Sequence, residues 1–266
     1  MNIRPPAVAG VFYPAQNDAL RASVQQHLSA TPALTSARWP KAIIAPHAGF
    51  AYSGPVAASA FSLLAPARKI VKRVVIIGPN HRVAVERVAA TSVDAFATPL
   101  GNVPVDRAAL ERLSGLPQVQ TFDFAHAPEH SIETHLPFLQ FVLEDFSIVP
   151  LVVGDTAATD VSEILELLWG GPETLISISS DLSHFYDYDT ARKMDAGTAQ
   201  AIETLQPDAI RFEHACGRMP IKGLMTLAAK HALKIETKDL RNSGDTAGGR
   251  DRVVGYGAWA FYEAGG

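Results

Sequence analysis

Cysteine is all but missing from this sequence: Cys216 is the single one in 266 residues. One thiol cannot close a disulfide within the chain, so any special part it plays is chemical, and the usage fits a reducing compartment. Long apolar runs are missing too. No stretch approaches the roughly 18 residues of a membrane span, and the opening Met1-Asn2-Ile3-Arg4-Pro5-Pro6 lacks the apolar segment of a signal peptide. A cytoplasmic protein with no membrane contact is therefore expected. Excess charge is absent: the formal net charge is −4, which argues against nucleic acid, whose binding demands a basic face. Repeats, low-complexity tracts and long linkers are absent as well.

What is present is the balance of a folded domain, 47% hydrophobic and 19% charged residues, the reverse of a disordered composition. Short β-branched runs (Lys41–Ala45, Arg73–Ile77, Phe146–Val153 and Leu175–Ser179) read as buried strands. Helical patterns alternate with them. They cover Asp18–Ser29, Ser53–Leu64 with Pro55 as its first helical residue, Asp106–Leu113, His130–Glu144, Asp160–Trp169, Thr190–Leu205, Pro207–His214 and Pro220–Leu233. Asn242–Arg250 is a loop, and Val253–Tyr262 reads as a last strand, antiparallel at an edge. Strands alternating with helices imply βαβ units. The expectation is a single three-layer α/β/α domain over residues 1–266, with a mixed, mainly parallel central sheet.

Polar residues fall at telling places. His47, His81 and the pair Asp181/His184 each follow the carboxyl end of a buried strand, where open α/β sheets bind ligands. Either histidine alone is equally a turn residue bonded to backbone; both together, each in a Pro/Gly turn, point toward metal ligation. Cys216 lies between two helical segments, two residues before Arg218. It is an inert buried thiol, or one made reactive by Arg218 and the following helix N-terminus, both of which lower thiol pKa. Glu129, His130, Glu133 and His135 crowd one short segment. They are an exposed first helical turn, or carboxylates orienting metal-bound imidazoles, or a proton relay; His126 is a weaker member. Asp181 and His184 are an acid/base pair, or a backbone cap and a packed ring. His27, His214 and His231 read as structural or solvent-facing, without polar partners nearby.

The motifs Arg4-Pro-Pro-Ala-Val-Ala-Gly-Val-Phe-Tyr-Pro14, Ala45-Pro-His-Ala-Gly-Phe-Ala-Tyr-Ser-Gly54, Gly78-Pro-Asn-His81, Glu129-His-Ser-Ile-Glu133, Leu136-Pro137, Ser179-Ser-Asp-Leu-Ser-His184, Cys216-Gly-Arg218 with Pro220, and Val254-Gly-Tyr256 span nearly the whole chain in order. Together they resemble the Memo family, whose bacterial and archaeal members carry the label AmmeMemoRadiSam system protein B. The resemblance implies a fold similar to LigB-type class III extradiol dioxygenases. It implies one mononuclear metal per chain held by His47, His81 and Cys216, with Asp181 and His184 in the same pocket and His184 at the acid/base position. Fe(II) is the first expectation, and Cu or Zn the alternatives.

The dioxygenases use two histidines and a glutamate, whereas a thiolate is softer and itself open to oxidation, so ring cleavage does not carry over with the fold. Three readings stand at this point. The first is a dioxygenase-like oxidoreductase on an unnamed small molecule, with Glu129, His130, Glu133, His135 and Arg218 around the metal or the substrate. The second, implied by the resemblance, is a non-catalytic metal-binding regulator that binds peptides or works with radical SAM and AMMECR1-like partners. The third is a hydrolase with Cys216 as nucleophile.

Overall fold

The structure is a computed structural model and describes residues 1–264; residues 265 and 266, the last of the expected domain span, lie outside the described residues. In chain order the strands are β1 (Ile3–Arg4), β2 (Ala42–Ala45), β3 (Arg73–Pro79), β4 (Val88–Ala90), β5 (Ala95–Thr98), β6 (Gly101–Pro104), β7 (Val119–Thr121), β8 (Ser147–Val153), β9 (Thr174–Ser179), β10 (His184–Tyr186), β11 (Lys234–Asn242) and β12 (Val253–Tyr262). The helices are α1 (Asn17–Ser29), α2 (Phe50–Phe61), α3 (Arg107–Glu111), α4 (Asp123–His126), α5 (Leu136–Val142), α6 (Ala158–Leu167), α7 (Tyr188–Glu203) and α8 (Arg218–Lys230). No helix among the described residues is long and apolar enough to cross a membrane.

The main sheet runs β10-β12-β2-β9-β3-β8-β4-β7, with β11 paired to β12; β1, β5 and β6 form a small separate sheet. Its centre, β2-β9-β3-β8, is parallel throughout, while β12 and β4 join it antiparallel. Every residue of β2 and β9 is buried, which is why they read as unbroken apolar runs rather than alternating ones.

Connection handedness fixes the layers. From β2 the chain crosses β9 through α2 to reach β3; from β8 it crosses back over β3 through α6 to reach β9. Right-handed crossovers running in opposite directions put α2 and α6 on opposite faces. The contacts agree: α1, α2 and α5 pack together, and α6 packs on α8. Val161, Ile164 and Leu165 of α6 and Ile221, Leu224, Met225 and Ala228 of α8 are the buried stripes that meet. After β3 the chain departs toward β8, and after β9 it departs toward β12, so the carboxyl ends of these neighbouring strands open a crevice.

Several expected elements differ. The helix after β2 begins at Phe50, not Ser53, and Pro55 lies inside it. The pattern over His130–Glu144 yields a 3-10 turn, Glu133–His135, and then only Leu136–Val142 as α-helix. Pro207–His214 forms two 3-10 turns rather than a helix. Strand β12 is antiparallel as expected but interior, because β11 lies outside it along nearly its whole length. The charged, half-exposed run Lys-Ile-Glu-Thr-Lys-Asp-Leu-Arg-Asn of β11 carries no apolar alternation to announce it.

The N-terminal segment is fastened across the molecule. Glu133 is fully buried and ion-paired with Arg4. It also accepts from the backbone N–H of Ala7 (2.7 Å) and Val8 (3.0 Å) and from the Tyr13 hydroxyl (2.5 Å). The Arg4 guanidinium donates in turn to the carbonyls of His126 (2.8 Å) and Glu129 (2.6 Å). Glu133 thus has a clear occupation, and it is holding Arg4–Tyr13 rather than orienting a metal-binding imidazole.

Candidate metal centre

Three adjacent strand ends, of β2, β9 and β3, deliver His47, Asp181 and His81 to the crevice. Cys216 comes from the far side, from the turn before α8. Its backbone N–H donates to the Asp181 carbonyl (3.3 Å), and the N–H of Gly217 donates to Ser180 Oγ (2.9 Å). Gly217 permits the approach: a Cβ there would stand 2.6 Å from Ser180 Cβ and 2.7 Å from the Ser179 carbonyl. The potential donor atoms of His47, His81 and Cys216 all lie within 4.8 Å of one another, and His47 Nε2 is 3.4 Å from Cys216 Sγ. Donors bonded at ~2.0–2.3 Å to one ion at tetrahedral angles lie roughly 3.3–3.8 Å apart. The set therefore fits a metal ion with little adjustment.

The ring orientations follow from the hydrogen bonds. Ser179 Oγ donates its proton to the Ser131 carbonyl (2.6 Å) and so accepts at 2.7 Å from His47 Nδ1–H. The His47 lone pair is then on Nε2, beside the sulfur. Burial, and next the imidazoles of His81 and His130, push the His47 pKa well down and keep the ring neutral. His81 is set likewise. Its Nδ1 lies 2.9 Å from Glu129 Oε1 and its backbone N–H 2.6 Å from Oε2. Glu129 is held at a pKa of about 2: burial opposes this, but His81 and His130 and the N–H of Ser131 outweigh it. A carboxylate can only accept, so His81 Nδ1 donates and Nε2 is free.

Of the two readings of the thiol, the structure favours the unactivated one. Burial first, and then the Asp181 carboxylate, push the Cys216 pKa up rather than down. Arg218 does not offset this, because its guanidinium lies 4.8 Å over the Phe212 ring and not on the sulfur. Only a cation at the sulfur would make the thiolate favourable.

The other expected residues sort by contact. His130 packs its ring 4.6 Å from that of His81 and 5.3 Å from that of His47, and burial lowers its pKa to about 4. His135 is buried beneath the crevice, 3.0 Å from Ser177 Oγ. Asp181 accepts at 2.8 Å from the His47 backbone N–H, and its other oxygen is 3.9 Å from His47 Nε2. It therefore positions His47, not His184. The His184 ring is oriented by the Leu182 carbonyl, which accepts at 2.7 Å from Nδ1–H, leaving Nε2 as its acceptor. A cavity of about 560 Å³ lies over the donors, lined by His81, His184, Cys216, Arg218, Tyr186 and Phe212 among others. His126 stands apart, donating to the Ala89 carbonyl (2.9 Å). His231 does have a polar partner: Glu166 is 2.9 Å away, and the ring stacks on Trp169.

Two contributors escape sequence reasoning. Ser179 sets the His47 tautomer, and only its position two residues before Asp181 could have marked it. Ser179→Ala removes that acceptor and is expected to weaken metal binding by roughly 10- to 100-fold; competition against a chromophoric chelator measures this, and unchanged affinity counts against the tautomer argument. The second is Asp195 of α7, buried on Gly255, where a Cβ would stand 2.0 Å from its Oδ2. It accepts from the Ser183 N–H at 3.1 Å and so braces the Asp181–His184 turn. Burial raises its pKa to about 6, against the pull of the Ser183 bonds. A carboxyl raised in the folded state gives stability that is fully present below its unfolded pKa and lost as pH rises through about 6. Asp195→Asn keeps the acceptor without the charge. Between pH 4 and 7 the variant is expected to gain up to about 3 kcal/mol on the parent protein; urea midpoints that shift in parallel would refute this.

The family comparison decides the identity. The model of the Memo-like protein family matches residues 4–260. The chain belongs to the Memo family. A MEMO1 family protein of Aquifex aeolicus is 34% identical over 96% of this chain and 98% of its own. One from Thermotoga petrophila is 36% identical over 95% and 97%, and one from Methanobrevibacter smithii 32% over 97% and 99%. A solved structure, uncharacterized protein JW3007 from Escherichia coli K12, matches 82% of this chain and 99% of its own at 12% identity and a TM-score of 0.46. In this Memo protein, Glu129 and Glu133 of the family-like Glu-His-Ser-Ile-Glu segment divide their work: the first turns toward His81, the second toward Arg4.

Proposed function

We propose that this Memo protein is a metal-dependent oxidoreductase in which His47, His81 and Cys216 hold one metal ion, Fe(II) in the first place and Cu or Zn otherwise. The observation that carries the reading is the pair of fixed tautomers. Ser179 and Glu129 each occupy the Nδ1 of one ring, so both Nε2 lone pairs are left for a common acceptor near the sulfur. A bound redox metal supplies electron transfer and polarises an oxygen-bearing substrate. The chain supplies the rest. His184 Nε2 takes the proton of a substrate hydroxyl while its Nδ1–H stays on the Leu182 carbonyl. Asp181 holds the His47 backbone, and Tyr186 and Phe212 wall the cavity.

The Cys-hydrolase reading has one point in its favour, the His47–Cys216 contact. The raised thiol pKa is the reverse of what a nucleophile needs, and the reading leaves the fixing of His81 by Glu129 without purpose. The regulatory reading, with peptide, radical SAM or AMMECR1-like partners, is distinguished by metal bound without turnover.

Anaerobically purified protein tests the proposal by elemental analysis followed by oxygen uptake on Fe(II) loading with catechols and other small phenols. About one metal per chain and substrate-dependent oxygen uptake are expected. Absence of metal overturns the site; metal without uptake on any phenol overturns the oxidoreductase reading.

A further inference from the structure

Arg218 is placed where stability gives it no reason to be. It is the first residue of α8, whose first turn holds no acidic residue, and a cation at that end of a helix opposes the macrodipole. Its guanidinium makes no hydrogen bond or ion pair among the described residues, and its one recorded partner is the exposed ring of Phe212 at 4.8 Å. That ring limits the freedom of the side chain without using its donors. Arg218 also lines two adjoining cavities, of about 560 and 460 Å³, which share Pro79, Asn80, Cys216 and Arg218. An unused planar fork of donors therefore stands on the wall where the two spaces meet, a wall that Cys216 shares.

We infer that Arg218 is the specificity-determining residue for a small organic carboxylate, bound with its carboxylate on the guanidinium and its flat apolar body against Tyr186 and Phe212. The inference rests on the proposed metal-dependent function for the meaning of the site, but not for the contact itself. The fork matches a carboxylate bidentately. A monoanion is indicated rather than a phosphate dianion, because Glu213 lines the same cavity and leaves little net positive charge for a second negative one. Neutral ligands of the same shape would leave the guanidinium without a partner in a space from which they have expelled water.

The test uses two probes of one shape, 4-hydroxybenzoate and 4-hydroxybenzamide, titrated into the full-length protein by calorimetry, both metal-free and Zn-loaded. The benzoate is expected to bind about ten-fold or more tightly in both states. Arg218→Gln is expected to abolish that preference while metal content stays at the parent level, and Arg218→Lys to keep part of it. Phe212→Ala is expected to weaken both probes, which lose the ring they lie against, and the benzoate more, because Arg218 also loses the ring that holds it. A preference that survives in Arg218→Gln, that appears only with metal, or that is absent from the parent protein overturns the inference. A protein that prefers the benzoate yet never takes up metal overturns the metal reading and leaves Arg218 as the anion anchor.

Discussion

Arg4→Ala is expected to lower unfolding stability by about 3–5 kcal/mol, the cost of leaving a buried charge without its partner. The partner is Glu133, fully buried, which would keep only the Ala7 and Val8 N–H groups and the Tyr13 hydroxyl. That is a large part of a typical total stability of about 5–15 kcal/mol. Lost donors to the His126 and Glu129 carbonyls and lost packing on Phe96 add to it. Replacing both members, Arg4→Met with Glu133→Gln, is expected to recover a substantial part, because the uncompensated charge is then gone. Chemical denaturation of the two singles and the double gives the coupling; additive losses would mean that the pair is not the source. The effect reaches the metal centre as well. Arg4 holds the carbonyl of Glu129, and the side chain of Glu129 holds His81. Arg4→Ala is therefore expected to loosen metal binding in protein that is still folded.

That chain of contacts explains what sequence reading could and could not reach. His47, His81 and Asp181 were legible because buried parallel strands announce themselves as apolar runs, and the residue just after such a run is placed by the strand end. Cys216 was legible as a candidate only through its scarcity and its motif. Its path into the site depends on Gly217 fitting against Ser180, a tertiary fit with no local signature. For its thiol the sequence shows the features that would activate it, the helix N-terminus and Arg218, whereas burial and the facing Asp181, which push its pKa the other way, are visible only in the structure. The crowding of Glu129, His130, Glu133 and His135 was legible as unusual, but not the division of labour within it. Glu129 and His130 precede the 3-10 turn Glu133–His135, so Glu129 and Glu133 do not share one helical face as i, i+4 neighbours would. Strand β11 has no signal in the sequence because its residues are mostly charged and nearly all half-buried, with no apolar face to alternate.

His81→Ala and His47→Ala are each expected to weaken metal binding by roughly 10²–10³-fold, so that purified variants carry little metal. The magnitude follows from structural zinc sites, where about 10–16 kcal/mol is shared among four donors, or ~2.5–4 kcal/mol for each. Each loss has a different local signature. His81→Ala strands the carboxylate of Glu129, which is 1% exposed and keeps its bonds to the backbone N–H groups of His81, His130 and Ser131, so the fold is expected to hold while the metal is lost. His47→Ala frees the Ser179 hydroxyl from a donor but leaves its bond to the Ser131 carbonyl and the backbone clamp of Asp181. Its metal affinity should accordingly fall below that of Ser179→Ala, which only unpins the ring. Cys216→Ser separates charge from shape: it removes the soft donor at nearly constant volume, so Cu(I) and Zn binding should suffer more than Fe(II) or Mn(II) binding. It should also remove the proton that the half-buried thiol releases on metallation, measured as the buffer dependence of the calorimetric heat. Elemental analysis beside circular dichroism reads the series. Full metal content in folded His81→Ala would exclude both this site and the second grouping of His81, Glu129 and His130, whereas full content in His47→Ala with loss in His81→Ala would put the ion at that second grouping.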